Sequence, residues 1–432
     1  MRAFFLDRDG VITQDVAFKE VDRLELLPKA ASAIKKLNSL GLVIVITNQP
    51  IVARNILTEK ELAVLHDKMK QELEKDGAKI DAIYYCPHHP ERNHPDIAPE
   101  AMKYRIDCQC RKPKTGLIEQ AAKDFNLNLK KCFMIGDTTR DIKAGVDAGC
   151  QTILLKTGYA GADKKYDVLP DFIAEDLKEA ADLIEMNLEA GVLILVGGRG
   201  ERLKPLTDKL PKPMLLVAGK PVLQHQIELL RKHGLTKIVM AGHYLFDVIK
   251  NYFGEGKKFG VSIKYCDEKN PLGTAGAIKN AEEFLSEFEN FIVLSGDVMT
   301  ELNFKSLFQF HKSKNALATL VLRHTDHPLD SDVVEIDDGG RIKKFIGRGQ
   351  KELDTAVASL YAFQKKIFNF IPKEFCIIEK DIVNNLCDAE KIYPVRNNIS
   401  NGVYGYLTDE YIKDMGTPER YENVKKHFEN KI

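Results

Sequence analysis

The chain has 432 residues, 44% of them hydrophobic, and its 63 Lys and Arg balance its 63 Asp and Glu. This length exceeds one ordinary hydrophobic core and predicts two domains. A net charge of zero provides no overall field that attracts nucleic acid or an anionic membrane, and the apolar runs are shorter than the ~18 to 20 residues of a membrane helix. We therefore expect a cytoplasmic protein with neither a nucleic-acid nor a membrane partner.

Apolar runs that predict buried strands alternate with Lys- and Glu-rich stretches that predict amphipathic helices. The predicted strands of the first half are residues 3–6, 42–47, 80–85, 132–135 and 152–155. This alternation is typical of a doubly wound α/β domain with a parallel sheet. A helix over EDLKEAADLIEMNLEAG then ends near Gly191, and a new strand begins at Val192. We predict two doubly wound α/β domains, residues 1–187 and 188–432.

Polar residues that suit phosphate chemistry follow the strands of the first domain or lie in loops near them. They are Asp7, Asp9, Thr47, Asn48, Arg111, Lys112, Asp137 and Asp141. Because the carboxyl ends of parallel strands meet at one edge of a sheet, we expect these side chains to converge. Phosphoryl transfer through an aspartyl phosphate requires acids, a hydroxyl and a lysine, with Mg²⁺ offsetting the repulsion between carboxylate and phosphate. The pattern predicts such a site.

Four potential metal ligands occur in two close pairs, Cys86-x-His88 and Cys108-x-Cys110. Their chemistry suits a closed tetrahedral Zn²⁺ site, which would order a polar segment that has little hydrophobic periodicity. The alternative is three free cysteines and a surface histidine. Two further histidines, at positions 89 and 94, are weaker candidates. The five remaining cysteines are scattered singly, and we expect them to be structural.

The motifs DRDG, TN, RKP and GDTTRD resemble those of the haloacid dehalogenase phosphatase superfamily. The resemblance implies that Asp7 is the nucleophile and Asp9 the general acid and then the base. It implies that Thr47 and Lys112 bind phosphate. It also implies Asp7 and Asp137 as Mg²⁺ ligands, with the backbone carbonyl of Asp9 contributing to the same ion.

The segments CPHHP and CRKP narrow this resemblance. Together they make residues 1–185 similar to the D-glycero-D-manno-heptose 1,7-bisphosphate phosphatases and to the related histidinol phosphatases. The similarity implies Asn48 and Arg111 as substrate contacts, with Arg111 directed to a remote phosphate. One departure is Pro50, which stands where TNQSGIARG of that family has Ser, four residues before Arg54.

A glycine-rich turn, GGRGERLKPLTDKLPKP, follows the first strand of the second domain. Gly197, Gly198 and Gly200 let backbone N–H groups approach a phosphate chain, and Arg202 and Lys212 add positive charge. With later motifs, residues 190–427 resemble the sugar-1-phosphate nucleotidyltransferases. This resemblance implies direct attack of a sugar phosphate on the α-phosphorus of a nucleoside triphosphate, with pyrophosphate as the leaving group.

The later motifs of the second domain are PLGTAGAI, FIVLSGDV, IIEKDIV and DMGTPERY. By resemblance, Gly273 and Thr274 contact the nucleotide, Glu379 and Lys380 bind the sugar phosphate, Asp297 and Asp414 hold Mg²⁺, and Arg202 and Lys212 neutralise the triphosphate. Residues 347–349 and 357–359 depart from family segments that often contact the sugar. This departure favours an alternative in which the second domain is a non-catalytic nucleotide-sugar-binding or oligomerisation module.

The two predicted activities are chemically complementary. A phosphatase acting on the distal phosphate of a sugar 1,7-bisphosphate yields a sugar 1-phosphate, which is the substrate class of the second domain. We expect a bifunctional enzyme that converts D-glycero-D-manno-heptose 1,7-bisphosphate to a nucleotide-activated heptose, with GTP as donor by family analogy. Its expected cofactors are Mg²⁺ in both sites and a structural Zn²⁺. Another sugar, such as mannose 1-phosphate, is an alternative, and a homo-oligomer is compatible with the sequence.

Overall fold

The computed structural model of the chain describes residues 1–14, 24–91, 99–325, 329, 331–349, 354–387 and 402–431. The chain forms two compact units, Met1–Ile184 and Glu185–Ile432, so the division comes three residues before position 187. Within the described ranges, no helix is both long and apolar enough to cross a membrane. Each unit contains its own helices and β-sheet, which confirms the predicted α/β class.

The first unit is built on a six-stranded parallel sheet. Its strands are β1 (Ala3–Leu6), β2 (Leu42–Asn48), β3 (Ala82–Cys86), β4 (Phe133–Gly136), β5 (Gln151–Leu155) and β6 (Phe172–Ala174). Their order in the sheet is β3-β2-β1-β4-β5-β6. Its helices are α1 (Ala30–Leu40), α2 (Glu59–Glu74), α3 (Gly116–Asp124) and α4 (Thr139–Ala148).

Strand β1 lies in the middle of this sheet, between β2 and β4. Phe5 pairs with Ile44 on one side and with Met134 on the other, and all three side chains belong to one buried apolar layer. A strand buried on both faces has no room for a charged side chain along its length. The first acid, Asp7, therefore follows directly after Leu6, at the edge where β2 and β4 also end.

Helix α5 (Leu177–Glu189) crosses from the first unit into the second and is followed at once by strand β7 (Ala190–Leu195). The predicted helix end near Gly191 and strand start at Val192 are therefore wrong by about two residues. The reason is local packing. A Cβ on Gly191 would lie 2.5 Å from the ring of Phe288, so the ring can pack against the strand only because glycine has no side chain. Strand pairing therefore begins before Val192, at Ala190.

The second unit has a nine-stranded mixed sheet. Its strands are β7, β10 (Lys237–Gly242), β11 (Ser262–Asp267), β12 (Asn290–Ser295), β14 (Ala318–His324), β15 (Val333–Ile336), β16 (Ile342–Gly347), β17 (Thr355–Gln364) and β18 (Val403–Leu407). The main order is β11-β10-β7-β12-β17-β14-β18. Strands β11, β10, β7 and β12 are parallel, whereas β17 runs antiparallel to both of its neighbours in this order.

Two short antiparallel pairs accompany this sheet, β8 (Leu216–Val217) with β9 (Lys220–Pro221) and β13 (Val298–Thr300) with β19 (Ile412–Asp414). The helices of the second unit are α6 (Val222–Lys232), α7 (Phe246–Phe253), α8 (Gly273–Asn280), α9 (Glu282–Leu285), α10 (Phe304–Ser313) and α11 (Pro418–Glu429). The pair of β13 and β19 brings the chain after Asp297 beside Asp414, although 117 positions separate them in sequence (414 − 297).

Candidate active sites

A buried lysine connects two acids at the carboxyl edge of the first sheet. The Nζ atom of Lys112 lies 3.0 Å from Oδ2 of Asp7 and 2.6 Å from Oδ1 of Asp141, and the Lys112 side chain is 1% exposed. The side-chain amide of Asn48 fixes the lysine backbone: it donates to the carbonyl of Lys112 at 3.1 Å and accepts from its N–H at 3.0 Å. Asn48, predicted as a substrate contact, therefore positions Lys112.

Carboxylate oxygens of Asp7, Asp137 and Asp141 all lie within 4.8 Å of one another. Burial raises the pKa of Asp137 to about 7, and the nearby carboxylates add to this effect. Burial also raises the pKa of Asp7 to about 6, although the positive charge of Lys112 acts to lower it. Three acids close to one lysine leave excess negative charge, and oxygen donors are the ligands that Mg²⁺ prefers. The residues present fit a divalent cation, and Asp141 joins the predicted ligands Asp7 and Asp137.

Close packing fixes the position of Asp137. Its Oδ2 accepts a hydrogen bond from the backbone N–H of Tyr159 at 2.7 Å. Gly158 and Gly10 both have positive φ, and a Cβ on either would lie 2.1 Å and 2.4 Å, respectively, from Oδ2 of Asp137. Only glycine leaves room for the carboxylate at these two positions.

Asp9 is held by several donors. Arg8, whose side chain is 1% exposed, donates from Nε to Oδ1 of Asp9 at 2.9 Å and from a terminal nitrogen to Oδ2 at 3.0 Å. Gln49 donates from Nε2 to Oδ2 of Asp9 at 2.8 Å and to Oγ1 of Thr47 at 2.9 Å. The predicted residues Asp9 and Thr47 are thus linked by Gln49, to which the sequence reasoning assigned no role.

A cavity of about 490 Å³ opens at this edge of the first unit. Its lining includes Asp7, Asp9, Asn48 and Asp137, and basic residues at three further positions, Arg54, Arg140 and Lys165. Arg111, predicted to bind a remote phosphate, does not line it and donates to the carbonyl of His88 at 3.0 Å. Sequence reasoning missed two of the cations. The one at position 140 lies inside the motif GDTTRD, whereas the one at 165 lies in a loop without a motif.

The four predicted zinc ligands come together in the structure. The thiols of Cys86, Cys108 and Cys110 are 3.2 to 3.5 Å apart, and Nδ1 of His88 lies 3.2 Å from Sγ of Cys110. These sulfur separations exclude disulfides and approach the ~3.8 Å edge of a tetrahedron with Zn–S bonds of ~2.3 Å. The donor set fits Zn²⁺. His89 lies outside the cluster and accepts from the N–H of Glu91, and position 94 lies outside the described residues.

Backbone hydrogen bonding connects this cluster to the acid site. The carbonyl of Cys86, at the end of β3, accepts from the backbone N–H of Gln49 at 2.7 Å. The side chain of Gln49 then contacts Asp9. The other five cysteines are buried free thiols, consistent with the structural role expected of them.

A second cavity, of about 250 Å³, lies in the second unit beside the glycine-rich turn. Its lining includes Gly416 and five predicted residues, which are Gly198, Gly200, Arg202, Lys212 and Asp297. The ammonium group of Lys212 forms an ion pair with Asp297, which also lines the cavity. Gly197 lies outside this lining, and a Cβ there would be 3.6 Å from Oε1 of Glu268.

The remaining predicted metal ligand of this unit, Asp414, lies in β19. Val298 pairs with Asp414, and the N–H of Met415 donates to the carbonyl of Asp297 at 3.1 Å. Arg420 donates to both oxygens of Asp414 at 3.0 Å, and Gly416 donates its N–H at 2.7 Å. Burial acts to raise the pKa of Asp414, but Arg420, the N–H of Gly416 and the charge of Lys212 together outweigh it, so the pKa is lowered. A carboxylate has about four lone-pair positions, and these three hydrogen bonds leave one of them unused on Asp414.

The predicted nucleotide-contact residues Gly273 and Thr274 begin helix α8. A Cβ on Gly273 would lie 2.5 Å from the carbonyl of Cys376, and the hydroxyl of Thr274 accepts from the N–H of Ile378 at 2.9 Å. Neither residue lines the 250 Å³ cavity. Through these contacts the two residues support the segment that leads to the predicted pair Glu379 and Lys380.

Glu379 and Lys380 have different surroundings. The hydroxyl of Tyr361 donates to Glu379, and burial raises the pKa of both groups. Lys380 lines a third cavity of about 320 Å³, together with Asp332 and Arg348. This cavity includes residues 347 and 348, where the chain departs from the family pattern.

Comparison with known proteins covers both units. The Nucleotidyl transferase family model matches residues 191–431, and a HAD-hydrolase-like model matches residues 109–180. The chain is 36% identical to mannose-1-phosphate guanyltransferase beta-A of Xenopus laevis over 46% of its length and 57% of the relative's. It is 31% identical to mannose-1-phosphate guanylyltransferase of Mycobacterium tuberculosis over 54% and 63%. A crystal structure of HddC from Yersinia pseudotuberculosis shares 27% identity and a TM-score of 0.46, over 55% of this chain and 99% of that one. The chain thus spans roughly three fifths of each of these curated relatives.

Proposed function

Because this chain belongs to the nucleotidyl transferase family, we propose that its second unit transfers a nucleotidyl group to a sugar 1-phosphate that its first unit prepares. The proposed starting compound is D-glycero-D-manno-heptose 1,7-bisphosphate, and the proposed product is a nucleotide-activated heptose. The observation that carries the proposal is that the chain has two cavities, one in each unit, each lined by acids and by basic residues that suit phosphate binding. A sugar 1-phosphate is a product of the phosphatase reaction and a substrate of the nucleotidyl transfer.

In the first unit, Asp7 attacks the 7-phosphate. Its carboxylate oxygen forms a bond to phosphorus while the bond to the sugar oxygen breaks, and Asp9 gives its proton to that leaving oxygen. Asp9 then takes a proton from water, which attacks the aspartyl phosphate and releases inorganic phosphate and the Asp7 carboxylate. Arg8 and Gln49 orient Asp9 during both proton transfers. Lys112 offsets the charge on Asp7 and on the phosphoryl oxygens.

Two metals are proposed for the first unit. Asp7, Asp137 and Asp141 would hold Mg²⁺, which would supply positive charge to the phosphoryl oxygens. Cys86, His88, Cys108 and Cys110 would hold Zn²⁺ in a closed site with a structural role. The zinc ligands order the segment that contacts Gln49 through the Cys86 carbonyl.

In the second unit, an oxygen of the sugar phosphate attacks the α-phosphorus of a nucleoside triphosphate, and pyrophosphate leaves. Such transfer requires positioning and charge neutralisation more than covalent help from side chains. Arg202 and Lys212 neutralise the triphosphate in the 250 Å³ cavity. Asp297 and Asp414 would hold Mg²⁺, which would add charge at the phosphates.

GTP is the proposed nucleotide, because both curated relatives described above are named as guanylyltransferases. Glu268 offers a further reason. Its carboxylate faces the glycine-rich turn near Gly197, and a carboxylate can accept a hydrogen bond from the amino group of guanine. The same names favour mannose 1-phosphate as a second candidate for the sugar.

The test uses the purified full-length chain with Mg²⁺, heptose 1,7-bisphosphate and GTP. An Asp7→Asn chain is expected to release no phosphate yet form pyrophosphate when supplied with heptose 1-phosphate. An Asp297→Asn chain is expected to release phosphate alone. Asp247→Asn, at an exposed position, is the matched control. Nucleotide-heptose formation from the bisphosphate by the Asp7→Asn chain at the unmutated rate would refute the order of steps. Pyrophosphate release with mannose 1-phosphate but not with heptose 1-phosphate would favour mannose 1-phosphate as the sugar. Absence of pyrophosphate release with every sugar 1-phosphate tested would favour a non-catalytic binding module.

A further inference from the structure

One buried histidine of the first unit has no part in the proposed mechanism as described so far. His66 lies on α2, is 5% exposed, and its Nε2 atom is 3.4 Å from the terminal nitrogen Nη1 of Arg8. An arginine side chain carries only N–H donors, so Arg8 donates this hydrogen bond and Nε2 of His66 accepts it. His66 therefore binds the same guanidinium group that contacts Asp9.

The other side-chain nitrogens of Arg8 are directed to Asp9. Nε donates to Oδ1 at 2.9 Å and Nη2 donates to Oδ2 at 3.0 Å. Because the guanidinium group is planar and rigid, a contact at Nη1 also fixes the plane in which the other two nitrogens meet the carboxylate. The Arg8 side chain is 1% exposed, so bulk water has little access to the nitrogen that contacts His66.

The His66 ring has a fixed place and a fixed charge. It packs edge-on against the ring of Tyr85, with the ring centroids 5.7 Å apart, and the Tyr85 hydroxyl donates to Glu59 at the start of α2 at 3.2 Å. Burial, and then the positive charges of Arg8 and Lys70, lower the pKa of His66 to about 3. The ring is therefore neutral at physiological pH, and its proton lies on Nδ1 because Nε2 is the acceptor.

The orientation of a general acid matters most for leaving groups that need a proton. A sugar alkoxide is strongly basic and is protonated as its bond to phosphorus breaks, whereas p-nitrophenolate is a stable anion that leaves without a proton. The value of kcat/KM covers the steps up to the departure of the leaving group. The ratio of kcat/KM values for these two kinds of substrate therefore reports the contribution of the acid, since a loss of folded protein or of phosphate binding lowers both values alike.

We infer that His66 is a positioning residue for the general acid of the first unit: it holds the Arg8 guanidinium in the plane from which Nε and Nη2 orient the Asp9 carboxyl group. The inference rests on the proposed phosphatase function. In one turnover Asp9 gives its proton to the leaving oxygen and takes one from the attacking water, while His66 neither gains nor loses a proton. His66 acts only through Arg8 and is not among the described residues that line the cavity of about 490 Å³.

The kinetic test compares heptose 1,7-bisphosphate, phenyl phosphate and p-nitrophenyl phosphate as substrates of the full-length chain. His66→Leu is expected to lower kcat/KM for the bisphosphate about tenfold relative to p-nitrophenyl phosphate, because it removes one hydrogen bond to a charged group. The fall for phenyl phosphate should be smaller but in the same direction. His66→Gln, whose amide oxygen is an acceptor, should restore most of the ratio. Leu73→Ala, buried about two turns further along α2, is the matched control and should leave both ratios unchanged.

A second pair of variants tests the route through Arg8. In an Arg8→Met background, His66→Leu is expected to change the ratios by no more than about twofold, because the contact that it removes is already lost. An equal fall in both backgrounds would overturn the inference.

Nitrogen NMR of the chain labelled at histidine provides a readout that does not depend on activity. The His66 signal, assigned by its loss in His66→Gln, is expected in the neutral form with the proton on Nδ1 from about pH 5 to pH 8. A proton on Nε2 would overturn the inference, since that nitrogen could not then accept from Arg8.

The three substrates also separate this inference from the proposed activity. Equal ratios in the wild-type and His66→Leu chains would overturn the inference, even if the bisphosphate is hydrolysed. A lowered ratio of phenyl phosphate to p-nitrophenyl phosphate in His66→Leu, with no hydrolysis of the bisphosphate by the wild-type chain, would support the inference and overturn the proposed substrate. Hydrolysis of none of the three by the wild-type chain would overturn both.

Discussion

Replacement of Lys112 by Met would test the electrostatic balance of the first unit. The lysine contacts Asp7 at 3.0 Å and Asp141 at 2.6 Å while 1% exposed. At an effective dielectric constant of about 20, each contact corresponds to an attraction of about 5 to 6 kcal/mol before desolvation is subtracted. Removing one partner of a buried ion pair costs about 3 to 5 kcal/mol, because the opposite charges stay buried without compensation. We expect Lys112→Met to lower the free energy of unfolding of the first unit by that amount.

The expected loss depends on pH. Without the lysine, the raised pKa values of Asp7 and Asp137 rise further, and the pKa of Asp141, which Lys112 lowers, rises as well, so the folded state favours the protonated forms of these groups. Such groups do not penalise folding below about pH 4, and the penalty grows as pH rises through their folded-state pKa values. The stability defect of Lys112→Met should therefore be larger at pH 8 than at pH 5.

The assay must resolve one unit, and the chain contains no tryptophan to report on it. Hydrogen exchange followed by mass spectrometry of peptides from β1 and β4 gives the free energy of opening of the first unit. Lys114→Met is the matched control, because Lys114 pairs with Asp107 on the surface and such pairs contribute about 1 kcal/mol or less. Equal protection of β1 and β4 in both variants would refute the argument that a buried charge imbalance is stabilised by Lys112.

The remaining predictions concern other parts of the chain. Gly158→Ala places a Cβ 2.1 Å from Oδ2 of Asp137 and should reduce phosphatase activity by about a hundredfold, whereas Gly149→Ala, with positive φ and open space, should not; equal activities would contradict this. Chelation of zinc should release about one metal per chain, measured by mass spectrometry, and expose the segment around the four-ligand cluster to protease; an unchanged digest would contradict it. Lys212→Met should lower the rate of pyrophosphate release by about a hundredfold or more, with phosphate release by the first unit as internal control. Burial lowers the pKa of His311 to about 4, so this residue does not reduce the free energy of unfolding above about pH 6.5 and reduces it by up to ~3 kcal/mol towards pH 4. The His311→Gln variant should lose this acid sensitivity in urea titrations. Equal acid sensitivity of the variant and the wild-type chain would contradict the prediction.

Five of the six strands of the first unit were predictable, because each lies in a short, mainly apolar run. Ala3–Leu6 was predicted with its observed bounds, and the acid after it marks the point where burial ends. The short strand Phe172–Ala174 was not predicted, because three residues at the sheet edge have no distinct periodicity. The second sheet contains antiparallel pairs because β17 pairs with strands that are distant in sequence. No local sequence pattern predicts such pairing.

The residue types of the candidate sites were predictable from motifs, but their partners were not. The contact between Lys112 and Asp7 is a tertiary contact between residues 105 positions apart in sequence (112 − 7), and no local pattern predicts it. Asn48 was predicted to touch substrate, and it lines the cavity. Its hold on the backbone of Lys112 was not predictable, because it depends on both hydrogen-bonding groups of its amide matching that peptide. Lys165 could not be found from sequence, because its place at the cavity depends on the hydrogen bonds between Asp163 and Thr139.

In the proposed function, one chain performs two consecutive reactions. The most direct test follows phosphate and pyrophosphate over time after the purified chain receives Mg²⁺, heptose 1,7-bisphosphate and each nucleoside triphosphate in turn. If the two reactions are consecutive, phosphate appears first with every triphosphate, and pyrophosphate follows with GTP in an amount that does not exceed the phosphate released. Phosphate without pyrophosphate in every reaction, or pyrophosphate formed before phosphate, would contradict it.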